Sequence, residues 1–209
     1  MTRLPAARYG GQVLKRSFYN RPTLNVARDL IGKVLVHDTR EGLASGVIVE
    51  VEAYIGEADP ACHAAPGPTK RNAPLYGPPG MAYVYLNYGI HYLVNAVTES
   101  EGWPAAVLIR ALEPKDGIPL MLRRRGKRSG DLPVKDLCRG PGNLTRALGI
   151  DLRHNLLDLT GGALRIEDHK GPKRPIAWSR RIGINVGVEH EWRVMAADSE
   201  AVSGPRRHS

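Results

Sequence analysis

The sequence predicts an α+β fold: one domain on an antiparallel sheet, curved into a roll or open barrel, flanked by short helices and carrying a protruding β-hairpin. Three observations carry this expectation. Apolar residues alternating at period two dominate the first two thirds of the chain. The segments with helical spacing are short and lie between or after those strands. A length of 209 residues fills one core well and two poorly, and no repeat or linker divides it.

Taken in order, residues 1–16 are basic and glycine-containing and read as a flexible arm, leaving 17–198 as the domain and 199–209 as a basic tail. "RPTLNVARDLIG" reads as a helix: Pro22 suits its first turn, Leu24, Ala27, Leu30 and Ile31 share a face, and Gly32 suits its end. "KVLVHDT" and "ASGVIVEVEAY" read as strands around a turn at Glu41-Gly42. "AYVYLNYGIHYLVNAVT" reads as a hairpin turning at Asn87-Tyr88-Gly89, where Gly89 permits the positive φ of a tight turn. "AAVLIRALEP" is apolar almost throughout and reads as a central strand. "KDGIPLMLRRR" begins a helix that runs into the basic loop "RRRGKRSGD", and "GPGNLTRALGI" is a short helix opened by Pro141. "GALRIEDH" and "RIGINVGV" read as late strands.

The formal charge of +9 implies an anionic partner, with nucleic acid ahead of a membrane surface. No apolar run approaches the roughly 20 residues of a membrane span, and no N-terminal segment reads as a secretory signal. Cys62 and Cys138 lack paired spacing, which points to a reduced, cytosolic-type compartment. Cys62, His63, His91 and Cys138 match no usual ligand spacing, so neither a metal nor another cofactor is expected.

In "VIVEVEAY", Val47, Val49 and Val51 are expected on one face, with Glu50, Glu52 and Tyr54 on the other. That second face is either solvated or turns one carboxylate into a pocket as a base on water. Spacing does not choose between the glutamates; Tyr54, two residues on, favours Glu52. Tyr83, Tyr85, Tyr88 and Tyr92 crowd one stretch in a chain with a single phenylalanine. Tyr83 and Tyr85 share a strand face suited to one wall of a flat slot, and Tyr88 sits at a turn, where a core role is poor. It either caps its own hairpin or inserts into a base stack. Asn95 is a structural amide or a reader of a base edge. Arg110, in an apolar strand, must be paired, with Glu52 or Glu50 the nearest candidates in pattern. "TKRN" at 69–72 and "RRRGKR" at 123–128 are solvated charge or phosphate contacts.

Several of these segments together resemble one family, the alkyladenine (3-methyladenine, methylpurine) DNA glycosylases. They are "RPTLNVARDLIGKVLV", "GVIVEVEAYIGEADPACHA", "TKRN", "YVYLNYGIHYLVN", "LIRALEP", "LCRGPGNLTRALGI" and "RIGI", which span most of residues 18–187 in the family's order. The resemblance implies a monomeric, monofunctional repair hydrolase of the bacterial cytoplasm and nucleoid. It would flip damaged purines, 3-methyladenine, 7-methylguanine and hypoxanthine, out of double-stranded DNA and cut their N-glycosidic bonds. It implies Glu52 as the base on water, with the Arg110 side chain and the Ile182 carbonyl holding that water. Tyr54, His63 and Tyr85 would line the base pocket, Tyr88 would be the wedge, Asn95 would crowd guanine's 2-amino group, and Thr69 and Arg71 would approach the DNA backbone. The chain departs from the family near its end: "WRVMAADSEAVSG" stands where relatives have a stretch like "WRFYVxGSPWVS". The rival expectations are an all-helical helix-hairpin-helix glycosylase, a lyase using a reactive amine, and a non-catalytic basic nucleic-acid-binding module.

Overall fold

A computed structural model describes residues 11–126 and 132–204. Its nine strands are β1 (Gln12–Val13), β2 (Val34–Thr39), β3 (Gly42–Ile55), β4 (Ala82–Asn87), β5 (His91–Val97), β6 (Ala105–Asp116), β7 (Leu164–Asp168), β8 (Ile176–Ser179) and β9 (Arg193–Ala196). Its helices are α1 (Arg16–Tyr19), α2 (Thr23–Leu30), α3 (Ile118–Arg125) and α4 (Pro141–Leu148). The strands form one antiparallel sheet in the order β1-β7-β2-β3-β6-β5-β4, with β9 added beside β3 and β8 beside β9. The sheet does not close into a barrel: β1 and β4 end its main path without pairing to each other. The α+β single domain is therefore an open sheet.

The spine is the β3·β6 pair. The long β3 takes β2 along its first half and β9 opposite Glu50, Val51 and Glu52. Helices cover one face. Val26, Ala27 and Leu30 of α2, Met121 of α3 and Leu144, Ala147 and Leu148 of α4 are sealed against Leu35, Ile48, Val51, Ile109 and Leu112. The α2 and α4 helices bury residues spaced three and four apart, as amphipathic helices must. Leu24 is only partly buried, and Thr23 takes an interior place beside Thr98 and Glu99.

Several expectations need correction. Residues 181–188 form no strand. The sheet is extended there by Ile176–Ser179 instead, with an irregular segment leading back to β9. The arm expected over 1–16 is ordered structure where it is described: Gln12 and Val13 pair with Asp168 and Glu167, Leu14 is buried, and α1 begins at Arg16. The tail expected over 199–209 begins with buried residues, Ser199 and Ala201 to Ser203. Residues 1–10 and 205–209 lie outside the described residues, as does 127–131 of the basic loop. Arg124 and Arg125 of that loop are engaged in the fold. Arg124 donates to the Leu148 carbonyl (2.6 Å) at the end of α4 and to Glu41, and Arg125 donates to the carbonyls of Asp136 and Leu137.

Candidate active site

The even alternation expected of β3 breaks at Val49–Glu50, where the register to β6 shifts on both sides of Glu50. A bulge changes which face the following residues present. Val47 and Val49 pack with Ala111, Ala196 and Ala201, whereas Ile48, Val51 and Ala53 join the main core, so the three valines do not share a face. In β6, Ile109 and Leu112 face that core with Arg110 and Ala111 between them. The matched irregularities bring Glu50, Glu52 and Arg110 together on the side away from the helices. Neither glutamate is solvated: both have no exposed surface.

Glu52 is held from three directions. Its Oε2 accepts from Arg110 Nη1 (3.0 Å) and from the Tyr54 hydroxyl (2.9 Å), and its Oε1 accepts from the main-chain N–H of Ile182 (2.7 Å). An ionised carboxylate has about four acceptor sites, so one site on Oε1 is left over from these bonds. Burial, then the Glu52 charge, pushes the Tyr54 phenol far up, so it is a donor at neutral pH. Burial alone would lower the Arg110 guanidinium, but Glu52 and Glu50 outweigh it and the net direction is up.

In front of Glu52 lies a cavity of about 360 Å³, within the range of roughly 300–1,000 Å³ common to small-molecule sites. Tyr54, His63, Tyr83, Tyr85, Asn95, Arg110 and Ile182 line it. Glu52 stands behind that wall, reached through the three groups bonded to it. Tyr83 and Tyr85 are tilted by 35° with centroids 5.2 Å apart, and the His63 ring meets Tyr85 edge-on at 4.5 Å. His63 Nδ1 and the Tyr83 hydroxyl are 2.8 Å apart. Burial, then the Arg71 charge, lowers the His63 imidazole, which is therefore neutral at pH 7. Burial pushes the Tyr83 phenol up to about 12 and Tyr85 higher still. The buried Asn95 amide donates to the Tyr83 carbonyl (3.0 Å), fixing its plane across the hairpin.

Behind Tyr54 sits a second buried ion pair. Arg181 donates to both oxygens of Asp59 (2.6 and 2.8 Å) and to the carbonyls of Ala53 and Gly187, and both side chains have no exposed surface. Its guanidinium lies 4.8 Å from the Tyr54 ring centroid and 5.1 Å from that of Trp192. Arg181 thus backs Tyr54 and anchors the segment whose next residue, Ile182, bonds Glu52.

Tyr88 stands at the hairpin tip, 86% exposed, with φ of 49°, followed by Gly89 at 69°. Two positive φ values make a two-residue turn closed by the Ile90 N–H on the Asn87 carbonyl (3.0 Å). Leu86 and Ile90 are exposed beside it, so the tip presents an apolar surface. Thr69 and Arg71 do not line the cavity; they lie exposed on a neighbouring loop. That loop is fastened by the buried Asn72, which donates to the carbonyls of His63 and Gly67 and exchanges bonds with Thr69.

The fold therefore gathers Glu52, Tyr54, Arg110 and Ile182 in direct bonds, with His63, Tyr85, Tyr88 and Asn95 on the same cavity's walls. The Ile182 amide is bonded to Glu52, which places the same peptide segment against the carboxylate. Sequence reasoning missed Asp59, Asn72, Arg181 and Arg193. Arg193, beside Trp192 and Val194, carries the kind of apolar context that singled out Arg110, whereas Asp59 and Arg181 lie in loop stretches without that signal. Cys62 and Cys138 are buried in separate clusters, and among the described residues no three His, Cys, Asp or Glu side chains converge as a metal site. No helix among those residues is long and apolar enough to cross a membrane.

Comparison with known proteins bears on this arrangement. Residues 17–200 match the family model described as methylpurine-DNA glycosylase. A relative from Rubrobacter xylanophilus is 50% identical over 87% of this chain and 92% of its own length. Relatives from Chlorobium phaeobacteroides and Rhodopseudomonas palustris are each 47% identical, over 92% and 97% of this chain and 96% of their own lengths. All three carry the name "Putative 3-methyladenine DNA glycosylase".

Proposed function

This chain belongs to the methylpurine-DNA glycosylase family, and from that premise we propose that it excises alkylated purines, 3-methyladenine and 7-methylguanine, from duplex DNA with a water activated by Glu52. As a DNA-repair glycosylase it has DNA as its substrate. In this reading Tyr54 and Tyr85 stack on the flipped base, His63 meets its edge, and Asn95 crowds the 2-amino group that distinguishes guanine. Tyr88 fills the gap left in the duplex, and Thr69 and Arg71 meet the backbone. The enzyme acts as a monomer in the cytoplasm, at the nucleoid.

The chemistry follows from charge. Alkylation at N3 or N7 makes the purine cationic, so it leaves as a neutral base carrying the electron pair of the glycosidic bond. Positive charge develops on the sugar, where the Glu52 carboxylate stabilises it. The water oxygen then bonds C1′ and its proton passes to Glu52, with Arg110 and the Ile182 carbonyl holding the water. No amine takes part, so the strand is left uncut and the enzyme is monofunctional. Because Glu52 has no exposed surface, base entry must draw back part of the wall in front of it to admit that water. Protonated phenols and a neutral imidazole offer a cationic purine electron-rich faces without a competing charge, worth about 1–3 kcal/mol per stacked ring. Hypoxanthine is neutral and must acquire a proton to leave, so its release is slower.

The observation that carries this reading is a sealed carboxylate, bonded by an arginine, a phenol and an amide, directly behind an aromatic cavity. Single-turnover base release from methylated DNA and from a hypoxanthine duplex tests it. Wild type should release methylpurines fastest and hypoxanthine more slowly. Tight DNA binding without release from either substrate would leave only a binding module.

A further inference from the structure

Glu50 has no exposed surface and does not line the cavity in front of Glu52, yet its carboxylate accepts four hydrogen bonds. Its Oε1 accepts from Arg110 Nε (2.9 Å), Arg193 Nε (2.7 Å) and the Ser203 hydroxyl (2.9 Å), and its Oε2 accepts from the Ser203 N–H (2.6 Å). Arg193 also donates to the Ser203 carbonyl (2.7 Å) and the Ser179 hydroxyl (3.0 Å), and Arg110 Nη2 lies 3.3 Å from the Ser203 hydroxyl. A buried chain of four charges results, in the order Glu52, Arg110, Glu50, Arg193, two negative and two positive.

The order matters. With Arg193 in place, Glu50 is balanced without drawing fully on Arg110, whose Nη1 stays on Glu52. Without it, one guanidinium would serve two buried carboxylates. Ser203 fixes the other side of Glu50, and with it the rotation of Arg110 about the Nε bond. Ser199 fastens the same C-terminal stretch by donating to Glu113 (2.6 Å).

We propose that Glu50, Arg193 and Ser203 are positioning residues for base release, acting through Arg110, and that residues 199–203 thereby complete the active site. This rests on the glycosylase reading and names what orients its arginine. A simple fold staple would lower stability and leave the reaction of the folded enzyme unchanged. A positioning role moves the single-turnover rate and its pH profile while DNA affinity holds. Glu52 is faced by Arg110 from β6, Tyr54 from its own strand, Tyr85 from β4 and Arg181 from the segment after β8. The two phenols and the two arginines all have pKa values held up, so none of them changes charge across the range measured.

The test is single-turnover release of methylpurines between pH 5 and 9 by the full chain, for Arg193→Gln, Arg193→Lys, Glu50→Gln and Ser203→Ala, with duplex affinity measured on the same samples. Arg193→Gln should slow release by about ten- to a hundredfold and move the acid limb to higher pH, because a cation is lost beside two carboxylates. Glu50→Gln, of the same size, should slow release and move that limb the other way. Arg193→Lys should restore the limb and only part of the rate, and Ser203→Ala should lose several-fold. Should Arg193→Gln not fold, the Glu50→Gln and Ser203→Ala profiles decide alone. Folded variants with wild-type rates and limbs would overturn the proposal. Absence of release by wild type would instead defeat the glycosylase reading beneath it.

Discussion

The charge cluster at the sheet's centre and the tip of the β4–β5 hairpin are built on opposite terms. At the centre Glu50 and Glu52 have no exposed surface and Arg110 and Arg193 very little, and each is tied by short bonds. At the tip Leu86, Tyr88 and Ile90 are exposed, and Tyr88 holds a left-handed backbone that costs an L-residue about 1–2 kcal/mol. Burying charge is costly unless every partner is in place, and exposing apolar rings is costly unless something covers them. The centre meets its cost internally, and the tip leaves its cost for a partner. In the proposed reading chemistry belongs to the bonded centre and duplex engagement to the hairpin, so changes in the two regions should fail differently.

The largest effect on stability belongs to the second buried ion pair, which backs the centre from behind Tyr54. Asp59→Asn leaves the Arg181 guanidinium buried without a counter-charge and should cost about 3–5 kcal/mol in denaturant unfolding, with base release falling alongside. A loss under about 1 kcal/mol would mean that the pair is not sealed. Next is the tip. Tyr88→Ala should weaken binding to lesion-containing duplex by about 1–3 kcal/mol, read in a fluorescence titration, while unfolding is unaffected. Tyr88→Asn sharpens the contrast, because it creates the Asn-Gly pair that a turn with two positive φ values prefers. It should raise stability by up to about 1 kcal/mol while binding falls as in the alanine variant. A loss of stability there would show that the ring packs on its own hairpin.

The smallest effect is a pH dependence. Burial is the leading cause that lowers both the His37 and His63 imidazoles below their ordinary value of 6.5. The unfolded chain therefore takes up these protons first as pH falls. Stability is full above that value and declines as pH drops through and below it. Melting temperature should fall from pH 7 to pH 5.5, and less so in His63→Gln, whose side chain does not titrate.

Much of this was legible in the sequence, and the gaps have physical causes. Local periodicity carried β2, β4 and β5, a continuous apolar run carried β6, and Pro and Gly marked α2 and α4. The hairpin was plain because Gly89 is a local signal. The bulge at Glu50 was not legible, because a change of register is decided by the partner strand and leaves no mark in "VIVEVEAY". Alternation also misled at "RIGINVGV", where Arg181 looks inward to Asp59 rather than across a sheet. That pair is separated by 122 residues, and Glu50 and Ser203 by 153, so only the fold brings them together. Tyr54 and the family resemblance already favoured Glu52 over Glu50; what only the fold reveals is that one glutamate stands behind the cavity and the other is enclosed by two arginines and a serine.

The most direct test of this division of labour replaces one atom at its centre. Glu52→Gln keeps the size of the side chain and removes its charge and basicity. Single-turnover release of methylpurines and affinity for the same lesion duplex should be measured together. The account predicts release slowed by about a hundredfold or more with lesion binding retained. Release within a few-fold of wild type, or a loss of rate explained wholly by lost binding, would contradict it.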